Sequence, residues 1–75
     1  MEVITAPRYR ATGLAETLNH QGRSAAWLGR QLGIHRSLVT HIAAGRRTVD
    51  EERAERIGQL LGVYPSTIFE LADAS

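Results

Sequence analysis

The chain is 75 residues long and has no cysteine, which limits it to one small domain without disulfides or thiolate-bound metal. Its net charge is only +1, and no apolar run approaches membrane-spanning length. The first ten residues lack the pattern of a signal peptide, so the sequence predicts a soluble, cytoplasmic protein.

The charges are unevenly distributed along the chain. Residues 3–49 contain seven arginines and one acid, Glu16, whereas residues 50–75 contain two arginines and six acids. One basic and one acidic region are typical of a protein that turns one surface towards a polyanion such as nucleic acid. All nine cations are arginine, which suits bidentate contacts with phosphate and guanine. Codon bias in a GC-rich genome accounts equally for the missing lysine, so the placement of the arginines is the informative feature.

Glycine and proline divide the sequence into five predicted helices. The first has apolar positions at helical spacing, with Pro7 in its first turn, and ends near Gly22. The second begins at Ser24, whose hydroxyl suits an N-cap. It ends at Gly33, which can adopt a left-handed conformation.

The third predicted helix follows Ile34 and ends at Gly45, and a very short turn joins it to the second. Gly29 is small where the third helix must cross the second, and Val39 and Ile42 direct the third helix into the core. This arrangement predicts a helix-turn-helix, in which the second helix of the pair lies in the major groove of DNA.

At the fourth predicted helix, Thr48 and Glu51 have the spacing of a capping box, and Asp50 is the competing N-cap. Gly62 ends this helix, and Pro65 begins the fifth. Nothing alternates with the period of a strand over a useful length, so we expect a compact all-α fold. We divide the chain into an N-terminal arm, residues 1–9, with a possible extended segment at residues 3–5, and a DNA-binding domain, residues 10–75.

The segment "SAAWLGRQLGIHRSLVTHIAAGRR", residues 24–47, resembles the helix-turn-helix of the phage repressor and Cro class, also called the XRE class. The resemblance extends over about residues 10–72 and includes the later "LLGVYP" step. It implies a five-helix, lambda repressor-like domain that binds DNA and regulates transcription. It also implies action as a dimer on a near-palindromic operator.

Three features depart from that family. Family members often have glutamine where this chain has Ala25, and Glu-Asn-Gly where it has residues 43–45, Ala-Ala-Gly. A buried Arg–Glu pair that often joins the first and third helices is replaced by Leu18 and Ala43, where we expect an apolar contact. The glutamine and asparagine that usually contact DNA phosphates in the family are therefore missing. The extra arginines are candidates to replace these contacts.

The third helix supplies the predicted base-reading residues, which project from the face opposite its apolar stripe: Arg36, Ser37, Thr40 and His41. Arg36 lies in the first turn, where family members reach base edges, and arginine is the commonest reader of guanine. The alternatives are a phosphate contact or a solvated side chain for Arg36, and an exposed side chain without a partner for His41.

Six residues are predicted to contact phosphate: Arg23, Ser24, Arg46, Arg47, Arg8 and Arg10. Arg46 and Arg47 occupy the loop that meets the DNA backbone in the family, and a helix N-terminus such as that at Ser24 attracts phosphate. Arg8 and Arg10 could lie along the DNA backbone or enter the minor groove. The alternative for both is a disordered tail.

The remaining residues suggest structural roles. His35 and His41 are six residues apart on a helix with no carboxylate nearby, so no metal site is expected, and His35 is interpreted as an imperfect N-cap. We expect neither a cofactor nor a small-molecule ligand. Trp27 is expected to pack against the first helix or the arm. Ile68 and Phe69 are expected to seal the core, and any surplus apolar surface at Ile68, Phe69 and Leu71 is the predicted dimer interface.

Together these features favour a sequence-specific double-stranded DNA-binding transcription regulator. A Cro-like repressor of a phage or mobile element, acting by operator occupancy, is the leading hypothesis, since the chain shows no sensor domain. The alternatives are an antitoxin, an excision-type accessory protein, or a protein-interaction module that has lost DNA binding. An enzyme is not expected, because no cysteine nucleophile, carboxylate pair in a plausible cleft or glycine-rich phosphate loop is present.

Overall fold

The computed structural model describes residues 6–72, which form five helices and a small antiparallel sheet. In chain order the elements are β1 (Arg8–Ala11), α1 (Leu14–His20), α2 (Ala25–Leu32), α3 (Arg36–Ala43), β2 (Val49–Asp50), α4 (Glu51–Leu61), α5 (Pro65–Ile68) and β3 (Phe69–Leu71). The five predicted helices are therefore present. The possible extended segment at residues 3–5 lies outside the described residues.

The sheet corrects the predicted all-α fold. Its strand order is β2-β1-β3, and Tyr9 in the central strand pairs with Val49 on one side and Leu71 on the other. The strands are only two to four residues long. Because strands this short contain barely one period of alternation, they leave no strand pattern in the sequence.

The chain before helix α1 is extended and not helical. Pro7, which the sequence placed in the first helical turn, precedes strand β1, and the predicted boundary between arm and domain falls inside that strand. The N–H groups of Thr12 and Gly13 both donate to the carbonyl oxygen of Ile68, at 2.9 and 3.2 Å. These bonds tie the start of α1 to the end of α5, so the helix begins only at Leu14.

The hydrophobic core receives side chains from every helix and strand. Leu14, Leu28 and Ile57 are fully buried at its centre. Val39 and Ile42 of helix α3 are 1% and 2% exposed, which confirms their predicted inward direction. Burying a side chain of this size stabilises the fold by roughly 1.5–3 kcal/mol, so the core sets which face of α3 points outward.

Two glycines allow the tight turn between α2 and α3. Gly33 ends α2 with φ +71°, and a Cβ on Gly29 would lie 2.7 Å from the carbonyl oxygen of Ile34. Only glycine permits so close an approach at position 29, as predicted. The turn between α4 and α5 repeats this geometry. Gly62 ends α4 with φ +70°, and a Cβ on Gly58 would lie 2.8 Å from the carbonyl oxygen of Val63.

Helix α4 begins with Asp50 and not with the capping box. The Asp50 carboxylate accepts the N–H of Arg53 at 2.8 Å. Thr48, the alternative N-cap, instead accepts a hydrogen bond from the Nε of Arg8 at 3.1 Å. Of the two candidates for this helix start, Asp50 is therefore the N-cap, and Thr48 binds strand β1.

Candidate nucleic-acid interface

Helix α3 presents four exposed side chains on the face opposite the core, and they are the predicted base-reading residues: Arg36, Ser37, Thr40 and His41. Their direction is set by the burial of Val39 and Ile42. The helix has eight residues and is therefore about 12 Å long. With its side chains an α-helix is about 10–12 Å in diameter, so it fits the major groove, which is about 12 Å wide.

These four side chains differ in how free their polar atoms are. The Thr40 hydroxyl donates to the carbonyl oxygen of Arg36 at 3.1 Å, and the Ser37 hydroxyl lies 2.8 Å from Nδ1 of His35. Within residues 6–72, the side chains of Arg36 and His41 make no hydrogen bond. The polar atoms of Arg36 and His41 are thus fully available to a ligand.

His35 is the N-cap of helix α3, as predicted. Its Nδ1 atom accepts the backbone N–H of Ser37 at 3.1 Å. Since Nδ1 accepts this bond, the ring proton of the capping imidazole is on Nε2. The histidine thus acts here as a hydrogen-bond acceptor that holds the first turn of the helix in place.

The loop after helix α3 carries Arg46 and Arg47, both exposed. Gly45 adopts φ +79° and turns the chain away from the helix axis. The N–H of Arg46 then donates to the carbonyl oxygen of His41 at 3.0 Å, which holds the loop against the helix end. Two predicted phosphate contacts therefore lie directly beside the C-terminus of α3.

Strand β1 brings two further predicted phosphate contacts to this loop. Arg8 donates through Nε to the Thr48 hydroxyl at 3.1 Å and through Nη2 to the Thr48 carbonyl oxygen at 2.8 Å. Arg10 packs beside Gly45, with its Cδ 3.5 Å from the position that a Cβ on that glycine would take. Both arginines belong to an ordered strand, so the alternative of a disordered tail is wrong.

The sheet register pairs each of these two arginines with an acidic residue on the neighbouring strand. Asp50 is the cross-strand neighbour of Arg8, and Glu70 is that of Arg10. Arg46 and Arg47 lie outside the sheet and have no such cross-strand neighbour.

The start of helix α2 borders the same surface. Ser24 is its N-cap, as predicted, and its hydroxyl accepts the N–H of Trp27 at 3.0 Å. The guanidinium of Arg23 lies over the Trp27 indole, 4.1 Å from the ring centroid. Arg23 lines a shallow groove together with Thr40 and Ala44 of the helix α3 end.

Apolar side chains line the same groove. Leu18 of α1 is 6% exposed and belongs to the core cluster, and Ala43 of α3 packs against that cluster. The structure thus has the predicted apolar packing at Leu18 and Ala43.

The predicted dimer interface needs correction at two of its three residues. Ile68 and Phe69 are 2% and 4% exposed, which confirms that they seal the core, between α5 and the sheet. Neither has apolar surface left for a partner. Leu71 is 66% exposed and shares a groove with Tyr9 and with Tyr64, which is 80% exposed.

Two residues next to the candidate interface, Thr48 and Trp27, were not among the predicted site residues. Arg23 directly precedes the N-cap of α2 and lies outside the helix, so helical spacing could not have identified its pairing with Trp27. Thr48 left no local signal, because its partner Arg8 is 40 residues away in the chain.

Other kinds of site find little support in residues 6–72. This part of the chain has no helix long and apolar enough to cross a membrane, and no group of three His, Asp or Glu residues positioned to hold a metal ion. A groove of mixed charge between α2 and α4, whose lining includes Gln31, Glu52, Arg53 and Arg56, shares no residue with the candidate interface.

Comparison with known proteins identifies the domain type. A family model described as a helix-turn-helix domain matches residues 8–71, whereas a comparison with curated proteins finds no match. The chain is similar in fold to a crystal structure of a protein from Bacteroides fragilis that is provisionally described as DNA-binding. That similarity has a TM-score of 0.75 and covers 83% of this chain and 98% of the other, at 16% sequence identity. The narrower phage repressor and Cro class stays a prediction. The chain belongs to the helix-turn-helix domain family.

Proposed function

We propose that the protein is a sequence-specific double-stranded DNA-binding transcription regulator. It acts by occupying an operator, as a Cro-like repressor of a phage or another mobile element. The observation that carries this proposal is the outer face of helix α3, where four polar side chains are exposed while Val39 and Ile42 behind them are buried. In a helix-turn-helix, side chains on this face of the second helix meet base edges in the major groove.

Base reading falls first to Arg36 and His41, because their polar atoms are not engaged elsewhere in residues 6–72. Arg36 lies in the first helical turn, from which a guanidinium can pair with O6 and N7 of a guanine. The hydroxyls of Ser37 and Thr40 add further contacts, since a hydroxyl can keep one bond and form another.

Phosphate contacts flank this face: Arg46 and Arg47 after α3, Arg23 and Ser24 at the start of α2, and Arg8 and Arg10 from β1. Contacts of this kind fix the register of the protein on the duplex without carrying sequence information. Arg8 contributes mainly by holding the loop through Thr48.

The operator is expected to be a near-palindrome bound by two copies of the chain, with half-site centres about one helical turn apart. Of the three predicted interface residues, Leu71 supports this arrangement, because it lies exposed in β3, at the edge of the sheet. Sedimentation of the complex tests the stoichiometry. One copy per duplex on an asymmetric site would remove the dimer and leave the DNA-binding proposal intact.

The decisive experiment is selection of bound duplexes from a random-sequence pool, followed by methylation interference on the enriched sequence. Enrichment of one motif, with interference at guanine N7 in the major groove, is the expected result. If the folded protein enriches no motif, the proposal of sequence-specific binding is wrong. An antitoxin or excision-type accessory protein would pass this test and would differ in its genetic role.

One observation favours a second candidate, a protein-interaction module. Tyr64 and Leu71 are 80% and 66% exposed and line a groove with Tyr9 and Pro65, beside Glu55. Exposed apolar side chains gathered in one groove are typical of a protein-binding surface. A protein that is folded but binds no duplex at low salt would favour this candidate.

A further inference from the structure

The contact between Arg23 and Trp27 fixes an arginine at the edge of the candidate interface. The guanidinium carbon of Arg23 is 4.1 Å from the centroid of the Trp27 ring. Trp27 is half-buried and packs against the core, whereas Arg23 is exposed. The indole is therefore a fixed platform, and stacking on it restricts the rotamers available to the arginine.

Stacking leaves the hydrogen-bonding capacity of the guanidinium unused. A guanidinium has five N–H donors, so a contact of its central carbon with the indole ring leaves donors free to bind an anion. Within residues 6–72, Arg23 donates to no protein acceptor, in contrast to Arg8, which donates twice to Thr48. Arg23 is thus held in place and still able to bind an anion.

The position of the pair suggests which anion it meets. Arg23 lines one groove with Thr40 and Ala44, so it shares a surface with the outer face of helix α3. It also directly precedes Ser24, the N-cap of the helix that supports α3. A duplex with its major groove on α3 would therefore present a backbone phosphate near this arginine.

We propose that Trp27 is a positioning residue for DNA binding, which holds the Arg23 guanidinium ready for a backbone phosphate. This inference rests on the proposed DNA binding and adds a role for a side chain that does not touch the nucleic acid. Ordering a long side chain on binding weakens an interface, and a side chain that is already ordered avoids this cost. The stacked arrangement should therefore strengthen binding roughly two- to tenfold.

A double-mutant cycle on non-specific DNA tests the proposal without knowledge of the operator, because phosphate contacts do not depend on sequence. The probe is a fluorescently labelled duplex of mixed sequence, about two helical turns long, at low salt. The variants are Trp27→Leu, Trp27→Phe, Arg23→Ala and the double variant Arg23→Ala/Trp27→Leu. Arg30→Ala is the matched control, since it removes the same charge from an exposed position in α2.

We expect Trp27→Leu to weaken binding roughly two- to tenfold and Trp27→Phe, which keeps an aromatic face, to change it by less than about twofold. In the Arg23→Ala background, Trp27→Leu should have no further effect. An equal loss in both backgrounds would mean that Trp27 only supports the fold. Trp27→Leu binding as tightly as the wild type would overturn the inference while leaving DNA binding established. Failure of the wild type to bind would remove both proposals.

The fluorescence of the protein gives an independent measurement, because Trp27 is the only tryptophan in the chain. Capture of the Arg23 guanidinium by a phosphate changes the surroundings of the indole beneath it. We expect unlabelled duplex to alter the Trp27 emission of the wild type and of Arg30→Ala, and to leave that of Arg23→Ala unchanged. An equal emission change in Arg23→Ala would contradict the proposal, even if Trp27→Leu fails to fold.

Discussion

Arg8 and Thr48 are joined by two hydrogen bonds, from Nε to the hydroxyl at 3.1 Å and from Nη2 to the carbonyl oxygen at 2.8 Å. Thr48 directly follows Arg47, so these bonds connect strand β1 to the loop that carries two predicted phosphate contacts. Two donors of Arg8 are thereby committed to the protein. This contact turns a residue expected in a loose arm into a support for the loop.

The first prediction concerns this support. Arg8→Ala removes both bonds and Thr48→Val removes only the one to the hydroxyl, so Arg8→Ala should be the more destabilising change. Because the bonds are exposed, we expect a loss of about 1 kcal/mol or less in the free energy of unfolding. Urea denaturation measures it. Equal stability of Arg8→Ala and the wild type would show that the contact does not hold the loop.

The second prediction distinguishes the turn between α2 and α3 from the turn between α4 and α5. A Cβ on Gly29 or Gly58 would lie 2.7 or 2.8 Å from a carbonyl oxygen, so Gly29→Ala and Gly58→Ala should each cost roughly 1–3 kcal/mol of stability. Only Gly29→Ala moves helix α3, so only this variant should also weaken DNA binding under conditions where both remain folded. Thermal denaturation and duplex titration provide the two measurements. Equal effects on DNA binding would mean that the α2–α3 turn does not set the interface.

The third prediction tests base reading. Arg36→Ala should cost about 1–3 kcal/mol on the selected operator and much less on random DNA, because it removes a base contact and retains the phosphate contacts. Parallel titrations on the two duplexes give the difference. If the loss is the same on both, Arg36 contacts phosphate, and base reading falls to Ser37, Thr40 and His41.

The fourth prediction tests phosphate contact by the loop. Arg47→Ala should weaken binding to operator and random DNA by similar factors. It should also lower the salt dependence of the binding constant by about one unit, since one fewer phosphate is neutralised. Titrations at several salt concentrations give this slope, and Arg56→Ala, an exposed arginine of helix α4, is the control. An unchanged slope for Arg47→Ala would place the DNA surface elsewhere.

Local features of the sequence determined the helices that form the candidate interface. Ser24 caps α2, His35 caps α3, and Gly33 ends α2 in a left-handed conformation. Each was predicted from the residue type and its place at the end of a helical pattern. Val39 and Ile42 face the core because their spacing follows the helical period. Capping and periodicity act over a few residues, so a single sequence contains enough information to predict them.

Only the tertiary structure decided that a sheet forms and that Arg8, in its central strand, holds the loop through Thr48. Strand β1 is four residues long and pairs with strands far along the chain, so its stability comes from partners that no sequence window contains. The same reason explains why the sequence left Ile68 and Phe69 with two expected roles, one in the core and one at a dimer interface. Ile68 and Phe69 are equally apolar in a core or at an interface, and only the packing of α5 against the sheet decides that they are buried.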